Sequence, residues 1–116
     1  MKRPASDFLP LAPATLHILL ALAGGDLHGY AIMQEVSRQS AGRYKLGPGT
    51  LYDNLQRLLE QGIVQETSRR SGEDSRRRYY RLTALGRGVL GAEISRLESV
   101  IREAKLHLQT ARPGRA

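Results

Sequence analysis

The chain is 116 residues long and carries 18 Lys plus Arg against 11 Asp plus Glu, a formal net charge of +7, and no cysteine. This length fits a single domain with one long element left over, and the absence of cysteine excludes disulfides and thiolate chemistry. The positive charge favours a polyanionic partner or an anionic surface.

The first predicted element is a helix that begins at Pro13 and ends before Gly24. Proline suits the first turn of a helix, where its missing N–H is not needed. Residues 1–11 show only weak hydrophobic periodicity. This pattern predicts an N-terminal arm that is ordered only where it docks on the rest of the protein. Apolar residues surround the helix, so we expect a second subunit to help cover Leu16 and Leu20. The apolar run is shorter than the ~20 residues that a bilayer span needs. We therefore expect a cytoplasmic protein with no membrane partner.

A second, amphipathic helix is predicted over Tyr30–Ser40, where Ile32 and Val36 share one face. The residues Asp26–Gly29 are expected to form the connection that leads into it. Within that connection, His28 is expected to cap the helix rather than to act as a base.

A third helix is predicted from Pro48 to about Gln61, capped by Gly47 and stopped by Gly62. Leucines at intervals of four and three residues face the core, which leaves a polar outer face. The major groove of B-DNA is ~12 Å wide and admits one such helix. An ordinary solvated helix is the alternative interpretation of this segment alone. In this helix and the turn before it, the residues expected to contact DNA are Lys45, Thr50, Tyr52, Asp53, Asn54 and Arg57.

Two strands, Ile63–Ser68 and Arg77–Leu82, are predicted on either side of a turn and form a basic wing. Between Arg69 and Arg81, six arginines stand against Glu73 and Asp74. Guanidinium groups match phosphate oxygens well, although an arginine run taken alone is typical of a solvated surface. The acidic pair would repel a DNA backbone, so we expect the tip to stay out of the minor groove. The residues expected to contact phosphates are Arg76, Arg77 and Arg78.

A last helix is predicted from an N-cap at Thr83 to about Gln109. Its length of ~40 Å is more than a small domain covers by itself. Apolar residues at intervals of four and three form a heptad pattern typical of a dimer, and the alternative is a helix that folds back on its own domain. Glycines near its start, Gly86 among them, weaken the first turns or allow close approach of another helix. The residues expected at the dimer interface are Leu90, Ile94, Leu97, Ile101, Ala104 and Leu108, with Leu16 and Leu20 from the first helix.

Together these elements predict a mainly α fold with a small β-hairpin, that is, a winged helix-turn-helix followed by a long C-terminal dimerisation helix. The expected organisation has four parts. They are an N-terminal arm over residues 1–11, a DNA-binding domain over residues 12–82, a dimerisation helix over residues 83–109 and a disordered tail over residues 110–116.

Three segments, LHGYAIMQEV, GPGTLYDNLQRLLEQGIV and RRRYYRLTALGR, resemble the PadR family of bacterial transcriptional regulators in their order and spacing. The resemblance extends over about residues 13–108 and points to the short members with one C-terminal dimerisation helix. It implies a winged-helix dimer that represses promoters and, in many members, releases DNA when a small molecule binds near the dimer interface. It also implies that Pro48–Gln61 reads DNA and that Arg69–Arg81 grips the backbone. Glu73 and Asp74 depart from the family pattern.

The function that we expect is binding of a pseudo-palindromic double-stranded DNA operator by a homodimeric repressor, with a small hydrophobic molecule as effector. The alternative is a basic nucleoid or RNA-associated protein that binds nucleic acid without sequence preference. Catalysis is not expected, because His17, His28 and His107 lie on separate elements without metal-ligand spacing. Accordingly, we expect no cofactor and no metal ion.

Overall fold

The computed structural model of the chain describes residues 3–67 and 77–110. Over these residues the chain is mostly helical, with a small antiparallel sheet and a long C-terminal helix, which confirms the predicted fold class. A short 3-10 helix, Ala5–Phe8, precedes the first α-helix. The helices and strands are α1 (Pro13–Ala23), β1 (Leu27–His28), α2 (Gly29–Gln39), α3 (Pro48–Glu60), β2 (Val64–Thr67), β3 (Tyr79–Leu82) and α4 (Ala84–Thr110).

The ends of α3 are set by glycine and proline, as the sequence predicts. Gly47 is the N-cap residue and Pro48 occupies the first position of the helix. At the other end Gly62 takes a φ of +76°, a conformation that glycine adopts without steric penalty. The N–H of Ile63 then donates to the carbonyl of Leu58 at 3.0 Å, as in a Schellman motif, which satisfies a terminal carbonyl of the helix.

The segment before α2 contains a strand that the sequence did not predict. β1 pairs antiparallel with β3, with His28 opposite Tyr79, so the sheet has the order β1-β3-β2 rather than being a hairpin alone. A strand of two residues is too short to show the alternation by which strands are recognised. The expected capping role of His28 is confirmed, because its Nδ1 accepts the N–H of Ala31 at 3.3 Å.

The hydrophobic core is centred on α1, which packs against α2, α3, α4 and β3. Neighbours from its own chain therefore cover most of this helix. Leu20 is left 38% exposed, and Leu16 is half-buried. The buried core residues are Ile18, Leu19, Ala21, Leu22, Ile32, Val36, Leu46, Leu51, Leu55, Leu58, Ile63, Val64, Tyr80, Leu82, Val89 and Leu90.

Thr83 and Gly86 fix the start of α4 against the end of α3. The Oγ1 of Thr83 accepts the N–H of Gly86 at 3.0 Å, which confirms Thr83 as the capping residue. The same hydroxyl donates to the carbonyl of Gly62 at 2.5 Å, with the carbonyl of Ile63 at 3.1 Å. A Cβ added at Gly86 would collide with the backbone carbonyl of Ile63. The close approach that this glycine permits is therefore to the backbone after α3 and not to another helix.

We expect Gly86→Ala to lower the free energy of unfolding by about 1–3 kcal/mol, because the added methyl group forces a backbone carbonyl to move. Gly91→Ala is the matched control on the same helix, since a Cβ added there meets no atom within 4 Å. Alanine is favoured over glycine in a helix by up to about 1 kcal/mol, so the control should be at least as stable as the unsubstituted protein. Urea unfolding at one protein concentration measures both, and an unchanged stability of Gly86→Ala would contradict this packing.

The buried carboxylate of Glu93, which is paired with Arg96 on the same helix, joins the N-terminal arm to α4. Glu93 is 1% exposed, and its carboxylate accepts two hydrogen bonds from the guanidinium of Arg96, at 2.7 and 3.0 Å. It also accepts the backbone N–H of Leu11 at 3.2 Å. The hydrogen bonding from Arg96 lowers the pKa of Glu93 below its ordinary value of 4.5; burial opposes this effect, and the N–H of Leu11 adds to it. The carboxylate thus holds the end of the arm on α4.

Because the folded-state pKa of Glu93 is lowered, its stabilising effect is fully present above the unfolded pKa and is lost as the pH falls through the folded value. We expect Glu93→Gln to lower the free energy of unfolding at pH 7 by about 1–3 kcal/mol. The difference from the unsubstituted protein should shrink as the pH falls below 4.5. Glu98→Gln, at an exposed position of the same helix, is the control and should have little effect. Denaturant unfolding over a pH series measures this difference, and a value independent of pH would refute the role of the pair.

Candidate nucleic-acid interface

The outward face of α3 carries most of the polar residues that the sequence assigned to DNA contact. Thr50, Asp53 and Arg57 follow one another at intervals of three and four residues, so they share one side of the helix, and all three are exposed. Tyr52 is 49% exposed, and Lys45 is exposed in the turn before the helix. This face offers hydroxyl, carboxylate and guanidinium groups to a partner.

Asn54 lies on the inner side of α3 and corrects one expectation. It is 8% exposed. Its Oδ1 accepts the hydroxyl of Thr15 at 2.8 Å, and its Nδ2 donates to the carbonyl of Thr50 at 2.8 Å. The amide therefore joins α3 to α1 and does not reach a base edge. The spacing contained the signal, because Asn54 is three residues after Leu51 and four before Leu58, which places all three on one helix face.

A cleft of about 530 Å³ lies between the first residues of α2, the helix α3 and the start of β3. We call it the tyrosine–arginine cleft. Three of the five tyrosines of the chain line it. Among the residues that the structure describes, no carboxylate belongs to its lining. The lining residues are His28, Gly29, Tyr30, Tyr52, Arg77, Arg78 and Tyr80.

Arg77 and Arg78 line this cleft, so they lie beside α3 and not at a distance from that helix. The Nη1 of Arg77 is 3.1 Å from the Nε2 of His28, and the Nη1 of Arg78 is 3.7 Å from the carboxylate of Glu66. The Arg78 pair is exposed on both sides, and exposed pairs at such distances contribute little to stability. Arg78 also has a side-chain hydrogen bond with Tyr80. The other charged residues of the predicted wing lie outside the described residues; they are Arg69, Arg70, Glu73, Asp74 and Arg76.

The tyrosines of the cleft place hydroxyl groups next to the arginines. The hydroxyl of Tyr52 lies against Gly29, since a Cβ added at Gly29 would collide with it. Tyr30 is 63% exposed, whereas Tyr80 is buried, and burial is the main cause that raises the pKa of the Tyr80 phenol above 10.0. The sequence pointed to Tyr52 but missed the other lining residues of α2 and β3, because their proximity depends on the pairing of β1 with β3.

The outer part of α4 presents an apolar surface, which we call the α4 seam. Ile94 and Ile101 are 42% and 51% exposed, and Leu108 is 77% exposed. Leu90, the expected first member, is instead 6% exposed and belongs to the core of its own chain. The seam therefore begins one helical turn later than predicted. It consists of Ile94, Leu97, Ile101, Ala104 and Leu108.

Over residues 3–67 and 77–110, no helix combines the length and the apolar character that a membrane crossing requires. In the same part of the chain, no three His, Cys, Asp or Glu side chains form a group that could hold a metal ion. Two of the histidines have structural contacts, because the ring of His17 stacks on Tyr44 with centroids 4.5 Å apart and His28 caps α2.

The order α2, α3, β2 and β3 is that of a winged helix-turn-helix, in which the second helix and the hairpin are neighbours. The profile described as the transcriptional regulator PadR-like family matches residues 18–92. A transcriptional regulator of Mycobacterium tuberculosis is 38% identical over 92 residues, which cover 79% of this chain and 82% of that protein. The chain therefore belongs to the PadR-like family of transcriptional regulators.

Solved structures show the same fold. A PadR family transcription regulator from hypervirulent Clostridium difficile is similar with a TM-score of 0.71 and 22% identity, covering 84% of this chain and 99% of that chain. PadR of Bacillus subtilis, solved in complex with operator DNA, is similar with a TM-score of 0.63 and 22% identity. That match covers 73% of this chain and 48% of the Bacillus chain, so this protein spans about half of that relative.

Proposed function

We propose that this chain is a sequence-specific DNA-binding repressor that binds a pseudo-palindromic operator as a homodimer. The observation that carries the proposal is the position of Tyr52, which belongs to α3 and also lines the tyrosine–arginine cleft. A helix that enters a groove needs phosphate-binding groups beside it, because the backbone borders the groove. The net charge of +7 suits a polyanionic partner. The complex of the Bacillus relative with operator DNA supports the same assignment.

In the proposed complex the exposed face of α3 reads base edges in the major groove. The guanidinium of Arg57 can donate two hydrogen bonds to a guanine, and the carboxylate of Asp53 can accept from the amino group of a cytosine. The hydroxyl of Thr50 can act as donor or acceptor. These three residues are exposed on one side of the helix, so they can face the same groove together.

Phosphate contacts in the proposed complex come from both sides of α3. Such contacts fix the position of a protein on the duplex but carry no sequence information. Lys45 lies before α3, and the cleft lies on the side of Tyr52. The residues that we assign to phosphates are Lys45, Tyr52, Arg76, Arg77 and Arg78.

The α4 seam is the proposed dimer interface. Its apolar side chains are exposed over the outer part of the helix, and burying them against a second copy stabilises the pair by ~25 cal/mol for each Å² of apolar surface. A two-fold dimer would present two copies of α3 to two half-sites about one helical turn apart. We place its action in the cytoplasm, where operator DNA is found.

A small hydrophobic effector is the proposed regulator, in keeping with the resemblance to the family. The supporting observation is that Leu20 of α1 is 38% exposed and that α1 packs against α4. A molecule bound there in a dimer would shift one subunit against the other. Because both copies of α3 must dock at once, a change in their spacing would release DNA.

A binder without sequence preference is the second candidate function, and the exposed Arg77 and Arg78 favour it. Selection of fragments from the organism's own genome distinguishes the two. A regulator selects fragments with a shared, roughly two-fold motif and keeps a large ratio of specific to non-specific affinity as salt rises. Fragments without a common motif, with affinities that fall together in salt, would establish the second candidate instead.

We expect Arg57→Ala to change which sequences are preferred, because loss of a bidentate base contact removes about 1–3 kcal/mol of discrimination at one base pair. Arg78→Ala should weaken binding to all sequences and reduce the slope of log affinity against log salt by about 1 per subunit. Asn54→Ala is the control within α3, since it should lower stability by about 1–3 kcal/mol and leave the preference unchanged. If Arg57→Ala lowers the affinity for every sequence by the same factor, α3 does not determine the sequence preference.

Leu97→Asp combined with Ile101→Asp should abolish the dimer, because the dimer would bury four charges that apolar packing cannot compensate. The matched control is Ser95→Asp combined with Ser99→Asp, which adds the same charge at exposed positions of α4 outside the seam. Light scattering measures both double variants. A dimer that survives the first pair of substitutions would show that the interface lies elsewhere.

A further inference from the structure

Gly29 is the first residue of α2, and it lies directly against the side chain of Tyr52. It is buried, and the three atoms nearest to a Cβ added at this position all belong to the ring and hydroxyl of Tyr52. The backbone does not require glycine here, because Gly29 is not among the residues with positive φ. What the position needs is the absence of a side chain, since only that lets the end of Tyr52 approach α2 so closely.

The collision that a Cβ at Gly29 would cause falls on a part of the molecule that can move. The nearest atom is the hydroxyl oxygen of Tyr52, at the far end of a side chain that is 49% exposed. At Gly86, by contrast, the nearest atom is a backbone carbonyl oxygen. Turning an exposed side chain aside leaves the close-packed core in place. A methyl group at position 29 should therefore displace the Tyr52 hydroxyl and leave the domain folded.

We propose that Gly29 is a positioning residue for DNA binding, which acts through Tyr52 and sets where the Tyr52 hydroxyl meets a backbone phosphate. The proposal rests on the proposed function, in which Tyr52 binds phosphate, and it adds the start of α2 to the parts of the chain that determine affinity. A hydrogen bond from a hydroxyl to an oxygen spans about 2.5–3.0 Å, so a displacement of about 1 Å is enough to remove it. Gly29 itself makes no contact with DNA in this arrangement.

The position of Tyr52 determines which property of DNA binding depends on Gly29. Tyr52 is a residue of α3, and it lines the tyrosine–arginine cleft together with Gly29 and Arg78. A phosphate contact at this place fixes how the duplex lies against α3, but it carries no sequence information. Displacement of the Tyr52 hydroxyl should therefore weaken binding to every sequence and leave the sequence preference unchanged.

A double-mutant cycle on one duplex to which the protein binds tests the proposal. Tyr52→Phe should weaken binding by about tenfold, because it removes a hydrogen bond to a charged group. Gly29→Ala should weaken binding by a similar factor although it removes no polar group. The variant with both substitutions should bind within about twofold of either single variant, because each substitution removes the same hydrogen bond. Independent effects would instead multiply to about a hundredfold.

Gly91→Ala is the matched control, since it makes the same substitution in a helix where an added Cβ meets no atom within 4 Å. It should bind the duplex as the unsubstituted protein does. Fluorine-19 NMR of protein labelled with 3-fluorotyrosine gives a readout without DNA. The signal that is lost in Tyr52→Phe belongs to Tyr52, and it should shift in Gly29→Ala but not in Gly91→Ala. The urea midpoint of Gly29→Ala should not fall, because only an exposed side chain moves.

Unchanged affinity of Gly29→Ala would overturn the proposal, as would a further tenfold loss, roughly, when Gly29→Ala is added to Tyr52→Phe. Unfolding of Gly29→Ala would overturn it as well, since the methyl group would then strike the packed domain and not the end of Tyr52. Normal binding by Tyr52→Phe would remove Tyr52 from the phosphate contacts and the proposal with it. All these outcomes leave a sequence-specific DNA-binding protein standing. Failure of the unsubstituted protein to bind any duplex would overturn both.

Discussion

The pairing of β1 with β3 is the constraint on which the candidate DNA-binding surface depends. Only two residues of β1 take part, yet the register that sets His28 opposite Tyr79 brings the start of α2 beside the residues that precede β3. An ion pair of 2.7 Å between Arg81 and Asp26 supports the same register. β3 also pairs with β2, which follows α3. One central strand therefore connects the three elements that border the cleft, namely the start of α2, the helix α3 and the start of β3. A shift of one residue would turn Tyr80 out of the core.

The parts of the fold that the sequence predicted are those whose signals are local. Pro13, Pro48, Gly62 and Thr83 mark the ends of helices, and each acts through neighbours a few residues away. Contacts between distant residues gave no comparable signal. β1 exists only because β3 pairs with it, and the side chains of His28 and Arg77 meet across 49 residues of sequence. Asn54 is a different case, because the helical spacing placed it inside, but its polar side chain favoured an assignment to the surface.

The first turns of α4 are fixed to the domain, and its remainder projects outward. The cap at Thr83 and the contact of Gly86 with Ile63 set its origin, while Glu93 holds the arm about two turns further on. The carboxylate of the Glu93–Arg96 pair is buried, whereas the Arg96 side chain is 38% exposed. An ion pair with a buried member contributes little net stability compared with apolar packing, although breaking it is costly. We therefore interpret Glu93 as specifying how the arm meets α4. With extents of 63 × 38 × 22 Å, the molecule is long because the α4 seam extends beyond the core.

This arrangement bears on how a signal could reach α3. The hydrogen bond between Thr15 and Asn54 joins α1 to α3, and α1 also packs against α2, α4 and β3. A close-packed core of this kind transmits displacement rather than absorbing it. A ligand that moved α3 within one subunit would have to break the Asn54 hydrogen bonds and open the core around α1. A ligand that shifted one α4 seam against another would leave every subunit intact and still change the spacing of the two α3 helices. The second route disrupts fewer native contacts, so an effector of the proposed dimer is expected to act between subunits rather than within one.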